Sequence, residues 1–425
     1  MDMRELKALE LAARAKIVAN DDGTWSVPSQ GKPGSSYRVV TWPGAESCQC
    51  EDYQLRREPC KHVIAARLVE EREGKRPAPP MDTAEVPKRK TYRQDWPKYN
   101  LAQTTEKDRF QELLAELCAG VEEPARSVKA GKRVRLGDRI FAAAFKVFST
   151  FSGRRFMSDL RQAHRKGYIR RMMTSGSIAD FIDSDELTGP LYQLIERSAL
   201  PLRSVETTFA PDSTGFSTSR FVRWFDEKYG QERSGREWVK CHAMVGTKTN
   251  VVTTAIVDGP TANDCPLFRP MLERTLAGGF DVQKVCADKG YLSKENLELA
   301  AKHGAAAFIP FKSNSVPGEA GTLWDRMFGY FQFHRADFLA HYHARSNVES
   351  TFSMVKAKFR DHVRSKTDVA MKNEVLLKLL CHNVVVVHQA TIELGIDGTF
   401  WPDSGQPRDV LRFCPNQTAA VGITR

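Results

Sequence analysis

WVKCHAMVGTKTNVVTTAIVD, residues 238–258, decides the fold. Two runs rich in Val, Thr, Ala and Ile flank Gly-Thr-Lys-Thr-Asn, which reads as two strands joined by a turn, an antiparallel hairpin. Just upstream, VETTFAPDSTGF (205–216) reads as a strand running into a Gly-containing turn. Downstream, CPLFRPMLERTLAGG (265–279) is a helix with a Gly stop, and VQKVCADKGY (282–291) is a short buried-type strand ending at Asp288. SKENLELAAKHG (293–304) is a Ser-capped helix and AAAFIPFK (305–312) a strand. A long helix follows, and MKNEVLLKLLCHNVVVVHQATIEL (371–394) closes the region. The order β-β-β-α-β-α-β-α predicts an α/β domain over 204–395, a mixed five-stranded sheet flanked by helices.

The region before it is helical. EKDRFQELLAELCAGV (106–121) carries Phe110, Leu113, Leu114 and Leu117 at helical spacing. RIFAAAFKVFSTF (139–151), FMSDLRQAHRKGYI (156–169), GSIADFIDS (176–184, with Ser177 as its cap) and ELTGPLYQLIERSAL (186–200) follow, so 101–203 is an all-helical region. Residues 76–100 are rich in Pro and charge without a period, a linker, and 1–75 form a small module before it. Beyond 395, residues 396–425 are an irregular tail.

The chain has 425 residues and a net charge of +11, from 63 Lys plus Arg against 52 Asp plus Glu. A basic balance favours a polyanionic partner, nucleic acid before membrane. The first residues are charged and amphipathic, unlike a signal peptide, and no apolar run approaches the roughly 18 residues that cross a bilayer. Nine cysteines, odd in number and mostly scattered, fit reduced thiols. The expectation is a soluble cytoplasmic protein with no membrane partner.

Two constellations carry chemistry. CQCEDYQLRREPCKH (48–62) sets Cys48, Cys50, Cys60 and His62 as Cys-x-Cys-x9-Cys-x-His, three thiolates and an imidazole sufficient for a closed structural Zn²⁺ site. Such a site supplies folding free energy to a module with few large apolar residues. The second is acidic. Asp212 ends the first strand, Asp288 the fourth, and Glu349 lies on the long helix. In YHARSNVESTFSMVK (342–356), Tyr342, Arg345, Glu349 and Lys356 fall on one narrow stripe at roughly 100° per residue, beside a stripe of Val348, Phe352, Val355 and Phe359. Hard oxygen ligands in that arrangement suit Mg²⁺ or Mn²⁺. Taken singly, Asp212 and Asp288 also read as turn residues and Glu349 as a solvated helix face.

DSTG at Asp212, ADKGY at Asp288 and the Y-x2-R-x3-E-x6-K signature of Tyr342, Arg345, Glu349 and Lys356 resemble bacterial insertion-sequence transposases of the DDE type. The resemblance covers about 100–395. It implies an RNase H-like catalytic domain, with Asp212, Asp288 and Glu349 as a triad holding two Mg²⁺ or Mn²⁺ ions. It further implies double-stranded DNA as partner, with terminal inverted repeats cut and the freed 3′-hydroxyls joined to target DNA by a homodimer, near the bacterial nucleoid. Arg345 and Lys356 would contact DNA phosphates, with Tyr342 beside them. Lys289 and Lys294, flanking Tyr291, read as phosphate contacts near the site or as surface lysines. FKVFSTFSGRRFMSDLRQAHRKGYI (145–169) has a helix-turn-helix shape, with Arg154 and Arg155 as DNA-binding candidates or as a solvated basic face. Only about 60 residues separate Asp288 from Glu349, so the large β insertion of some relatives is absent. The Cys-x-Cys…Cys-x-His spacing is similar to the SWIM zinc finger over about 38–70, a module associated with DNA binding and with protein contacts. A plain nuclease of the same fold and a catalytically silent DNA-binding protein are the alternatives.

Overall fold

The computed structural model describes residues 3–30, 34–56, 58–74, 95–123, 134–218, 238–258 and 263–401. The linker expected at 76–100 lies outside these residues up to 94, and the tail does so from 402. The chain divides into two compact units, 1–93 and 94–425.

In the first unit, α1 (Met3–Arg14) precedes a four-stranded antiparallel sheet: β1 (Val18–Ala19), β2 (Trp25–Pro28), β3 (Ser36–Val40) and β4 (Ser47–Cys48). Two helices, α2 (Glu51–Arg56) and α3 (Lys61–Glu73), complete it. Trp25, Val27, Val39 and Val63 are fully buried between the sheet, α1 and α3.

The second unit opens with helices α4 (Trp96–Ala119), α5 (Leu136–Ser149), α6 (Gly153–Arg165), α7 (Ser175–Ile182) and α8 (Asp185–Ala199). Helix α4 starts at Trp96 with Asp95 as its cap, so the last residues of the expected linker are helical. Thr174, rather than Ser177, caps α7: its hydroxyl accepts from the Ser177 amide at 3.1 Å. The sheet then follows as β5 (Thr208–Ser217), β6 (Trp238–Gly246), β7 (Val252–Asp258), β8 (Lys284–Cys286) and β9 (Ala306–Phe308). Its order is β7-β6-β5-β8-β9, the first three antiparallel and the last two parallel to β5, the mixed five-stranded α/β sheet expected from the sequence. Between and after the strands come α9 (Phe268–Ala277), α10 (Lys294–Lys302), α11 (Leu323–Phe333), α12 (Arg335–Tyr342), α13 (Ser346–Phe359) and α14 (Asp368–Leu394).

Two differences matter for the site. Strand β5 runs through Gly215 instead of turning there, so Asp212 is mid-strand, opposite Ala243. A Cβ on Gly215 would lie 2.9 Å from the Trp238 ring; the glycine admits that ring to the sheet face and does not break the strand. The long helix expected around 342–356 is also interrupted. Tyr342 ends α12, Arg345 sits in a 3-10 turn (His343–Arg345), and α13 begins at Ser346.

Helix α14 organises the unit. Thr367 caps its start, no Gly or Pro interrupts it, and Gly395 (φ 69°) ends it. By length and composition it could cross a membrane, contrary to the expectation that no segment would; 78% of its apolar window is buried inside the protein, as for a core helix. It packs on α4, α5, α8 and β7. Two buried asparagines fix its register. Asn383 accepts from Val252 N (2.9 Å) and donates to Val252 O (2.7 Å) and Ser198 Oγ (3.0 Å). Asn373 donates to Ile182 O (2.9 Å) and Ser184 O (3.0 Å) and accepts from Thr188 Oγ1.

His382 on the same helix donates from Nε2 to Asn250 O (2.8 Å), and burial lowers its pKa to about 4. The folded state therefore favours the neutral ring, so its contribution is complete above the unfolded pKa of about 6.5 and is lost as pH falls toward 4. Urea unfolding at pH 7 and pH 4.5 should show His382→Gln, which keeps a donor for Asn250, losing less stability on acidification than wild type. The difference should be on the order of 3 kcal/mol at most.

Candidate active site and metal centre

Strand β5 pairs with β8 over Thr208 and Phe209 only, and beyond Phe209 the two strands separate. Asp212 lies on the open side of that fork. Asp288 lies two residues past the end of β8, at the start of a 3-10 turn (Lys289–Tyr291). The 3-10 turn before α13 brings Arg345 across the gap. Its guanidinium holds Asp212 Oδ2 at 2.8 Å and Glu349 Oε1 at 2.9 Å, so one side chain ties two acids 137 residues apart in sequence. Asp212 Oδ1 accepts from the Ser213 amide at 2.8 Å.

The electrostatics agree. Burial raises the Asp212 pKa, and the negative charges of Asp288 and Glu349 raise it further, against the opposing effect of Arg345. The three acids therefore share one field, although their oxygens do not form a set within 4.8 Å of one another as the Cys and His ligands below do. Asp212 and Asp288 are half-buried and Glu349 is exposed. Asp212, Asp288 and Glu349 are hard oxygen donors of the kind a divalent ion takes, and in this arrangement Arg345 occupies one oxygen each of Asp212 and Glu349.

The stripe residues separate into different roles. Val348, Phe352, Val355 and Phe359 are all buried and seat α13 on the sheet. Tyr342 is buried beside Arg345 and does not present its ring to solvent. Lys356 is half-buried, its ammonium 5.6 Å from the centre of the Phe216 ring. Lys289 is exposed directly after Asp288. Arg154 and Arg155 are exposed on the first turn of α6, whose other face buries Phe156, Leu160 and Ala163.

One group was not legible in the sequence. Asp264 Oδ1 forms an ion pair with Lys240 Nζ at 2.8 Å and lies 3.3 Å from His242 Nδ1. It lies close to the site: a Cβ at Gly290 would be in van der Waals contact with both acids, 3.8 Å from Asp264 Oδ2 and 4.0 Å from Asp288 Oδ2. The Tyr291 hydroxyl, buried and without a hydrogen-bond partner, has its pKa raised by burial first and then by Asp264, Asp212 and Asp288. A lone Asp before Cys-Pro carries no pattern; the β6 lysine and histidine that hold it are more than 20 residues away.

In the first unit, Cys48 ends β4, Cys50 follows it, Cys60 precedes α3 and His62 opens it. All four are buried, and their ligand atoms lie within 4.8 Å of one another. His62 Nδ1 is 3.9 Å from Cys48 Sγ and 3.8 Å from Cys60 Sγ. The edge of a tetrahedron with Zn–S about 2.3 Å and Zn–N about 2.0 Å is roughly 3.6 Å. Three thiols this close cannot all ionise without a cation. Cys48 is pushed up, first by its hydrogen bond to Cys50, while Cys60 is lowered to about 3 by hydrogen bonds from Cys48 and Cys50. The set fits a structural zinc.

Residues 203–384 match the family model of the transposase DDE domain, and residues 37–68 match that of the SWIM zinc finger. No curated protein and no solved structure is significantly similar to the chain. The first match runs from β5 into α14 and the second from β3 into α3, and the DDE match supports an RNase H-like fold, a transposase function and DNA as the partner.

Zinc removal should act locally. Hydrogen exchange on the full chain with and without a strong chelator should show loss of amide protection over residues 36–73 and unchanged protection over 368–394. Metal analysis should find one zinc per chain, and less than half of that in Cys60→Ala. Full protection of 36–73 in zinc-free protein would overturn the structural role.

Proposed function

We propose that this chain, with its transposase DDE domain, cuts DNA at the ends of its own element and joins the freed ends to target DNA. Asp212, Asp288 and Glu349 are the catalytic carboxylates and hold the divalent ions. The observation that carries this reading is the Arg345 bridge, which ties Asp212 to Glu349 at the open fork of β5 and β8, within the field of Asp288. Open α/β sheets place ligands at such forks.

Mg²⁺ or Mn²⁺, when bound, activates the attacking oxygen and stabilises the leaving oxygen of a phosphodiester. Hydrolysis adds water across one P–O bond and leaves a 3′-hydroxyl and a 5′-phosphate. In joining, that 3′-hydroxyl attacks a target phosphodiester, forms a new P–O bond and releases a target 3′-hydroxyl. Arg345 holds Asp212 and Glu349 against their mutual repulsion before the ions arrive, and remains beside them as a cation facing the strand. Lys289, next to Asp288, and Lys356, two helical turns past Glu349, hold flanking phosphates. Tyr342, buried, positions Arg345 and does not touch DNA itself. Arg154 and Arg155 contact the backbone of the terminal repeat from α6. A homodimer that pairs two ends, the bacterial cytoplasm and nucleoid, and a zinc module that contacts DNA or protein complete the reading.

A cleavage and strand-transfer assay with Mg²⁺ or Mn²⁺, on DNA carrying the repeats that flank the gene, tests it. Wild type should yield joined product; Glu349→Gln and Asp288→Asn should lose on the order of 10³-fold in rate while still binding DNA. Arg345→Lys, which cannot bridge two carboxylates with a planar fork, should lose rate too. Cleavage without joining, and without dependence on the repeats, would make the protein a plain nuclease. Binding with no product would make it a silent DNA-binding protein.

A further inference from the structure

A second cleft, of about 390 Å³, lies where α13 ends. Helices α5, α6 and α7 wall one side, and the turn 360–367 with the start of α14 walls the other. Its floor is apolar, with Val147, Phe156, Ile178, Ile182 and Phe359. Its rim is cationic, with Arg360, Arg364 and Lys366 exposed in the turn and Lys146 half-buried on α5, while Lys378 of α14 is buried beneath them beside Glu374.

The two carboxylates in the lining are engaged locally. Glu374 accepts from the Arg364 amide (2.9 Å), the Ser365 amide (2.9 Å) and Ser365 Oγ (2.8 Å), and Asp183 accepts from Thr367 Oγ1. The arginines reach main-chain carbonyls instead: Arg360 to Thr150 O at 3.4 Å and Arg364 to Phe151 O at 3.3 Å. Among the described residues, no carboxylate forms an ion pair with the side chains of Lys146, Arg360, Arg364 or Lys366. Burial lowers the Lys146 pKa, Glu374 raises it, and Arg364 and Arg360 lower it again, so Glu374 offsets only part of the repulsion among the cations of the cleft.

Arg360 also holds a backbone conformation, φ 76° and ψ 148°, that is essentially reserved for glycine. Lys378 Nζ pins the turn there, donating to Arg360 O (3.3 Å) and His362 O (2.7 Å). A strained, crowded cluster of cations over an apolar floor is costly unless an anion with an apolar part occupies it. Eleven residues separate Glu349 from Arg360, roughly 16 Å along a helix.

We propose that this cleft takes an unpaired nucleobase of the strand that lies along α13, with the phosphates flanking that base held by Arg360, Arg364 and Lys366. The assignment rests on reading the neighbouring carboxylates as a DNA-cleaving site. A phosphate alone needs no apolar floor, and a duplex is too wide to enter a cavity at the small end of ligand sites. A base turned out of its stack brings a flat apolar face, and its edge meets the hydroxyl of Ser175, which lines the same cleft.

Fluorescence anisotropy of the full chain with a labelled 20-nucleotide single strand, and with the same sequence as duplex, tests the proposal by affinity alone. Ala179→Trp, at an exposed lining position, fills the cleft without altering its charge. It should weaken single-strand binding by at least about 5-fold, leave duplex binding unchanged and leave the salt slope unchanged. Arg364→Ala should lower the salt slope by about one on the single strand. Arg360→Gly should raise the melting temperature by relieving strain, yet weaken single-strand binding. Unchanged single-strand affinity in Ala179→Trp, or equal weakening toward both forms, would overturn the nucleobase assignment. Wild type that binds DNA without cleaving it would defeat the catalytic reading while leaving these comparisons decisive, and wild type that binds neither form would defeat both.

Discussion

The short pairing of β5 with β8 is the constraint on which the second unit turns. Only Thr208 and Phe209 are laddered to β8, while Phe209 to Ser217 are laddered to β6 on the other side. The carboxylate at position 212 therefore stands on a rigid strand next to a gap. A longer parallel ladder would fill that gap with strand and push the loop carrying Asp288 away. The gap is instead closed by the 3-10 turn of Arg345, whose guanidinium replaces the missing ladder with charge-assisted bonds. Past Ser217 the same strand meets the chain again: Val363 N donates to Ser217 O at 2.9 Å, and Ser217 N to Asp361 O at 3.2 Å. One strand thus positions the carboxylates and the strained turn at Arg360.

Much of this was legible because it depends on local chemistry. The hairpin at 238–258, the Ser293 cap, the Gly stop at 278 and the strand order all follow from residue types within a few positions. The Cys and His spacing was enough for the zinc set, since ligand identity and distance along the chain nearly determine such a site. What was hidden is tertiary. The break between α12 and α13 contains no Pro or Gly, so the helical period runs through it and the wheel placed Tyr342 and Arg345 on one helix with Glu349. The side chains did converge, through a turn that swings Arg345 toward Asp212. Gly215 looked like a turn because the ring it admits belongs to another strand. Asp264 was invisible for the same reason: its partners lie on β6.

The net charge of +11 is a weaker guide than how the charges are paired. Lys107 pairs with Asp159, Lys166 with Asp108, Arg139 with Glu186 and Lys358 with Glu106, all within the helical layer of the second unit. Those cations hold helices together and have little field left over. The side chains of Arg154, Arg155, Arg360, Arg364 and Lys366 have no carboxylate within ion-pair distance among the described residues, and they lie on α6 and on the turn after α13. A polyanion binds where cations are not already neutralised, since only there does association release counterions from the nucleic acid without first breaking an internal pair. On the proposed function, the unneutralised cations of the α13–α14 turn and of the start of α6 form part of the DNA footprint, and Glu349 of the β5–β8 fork lies about one helix length from that turn.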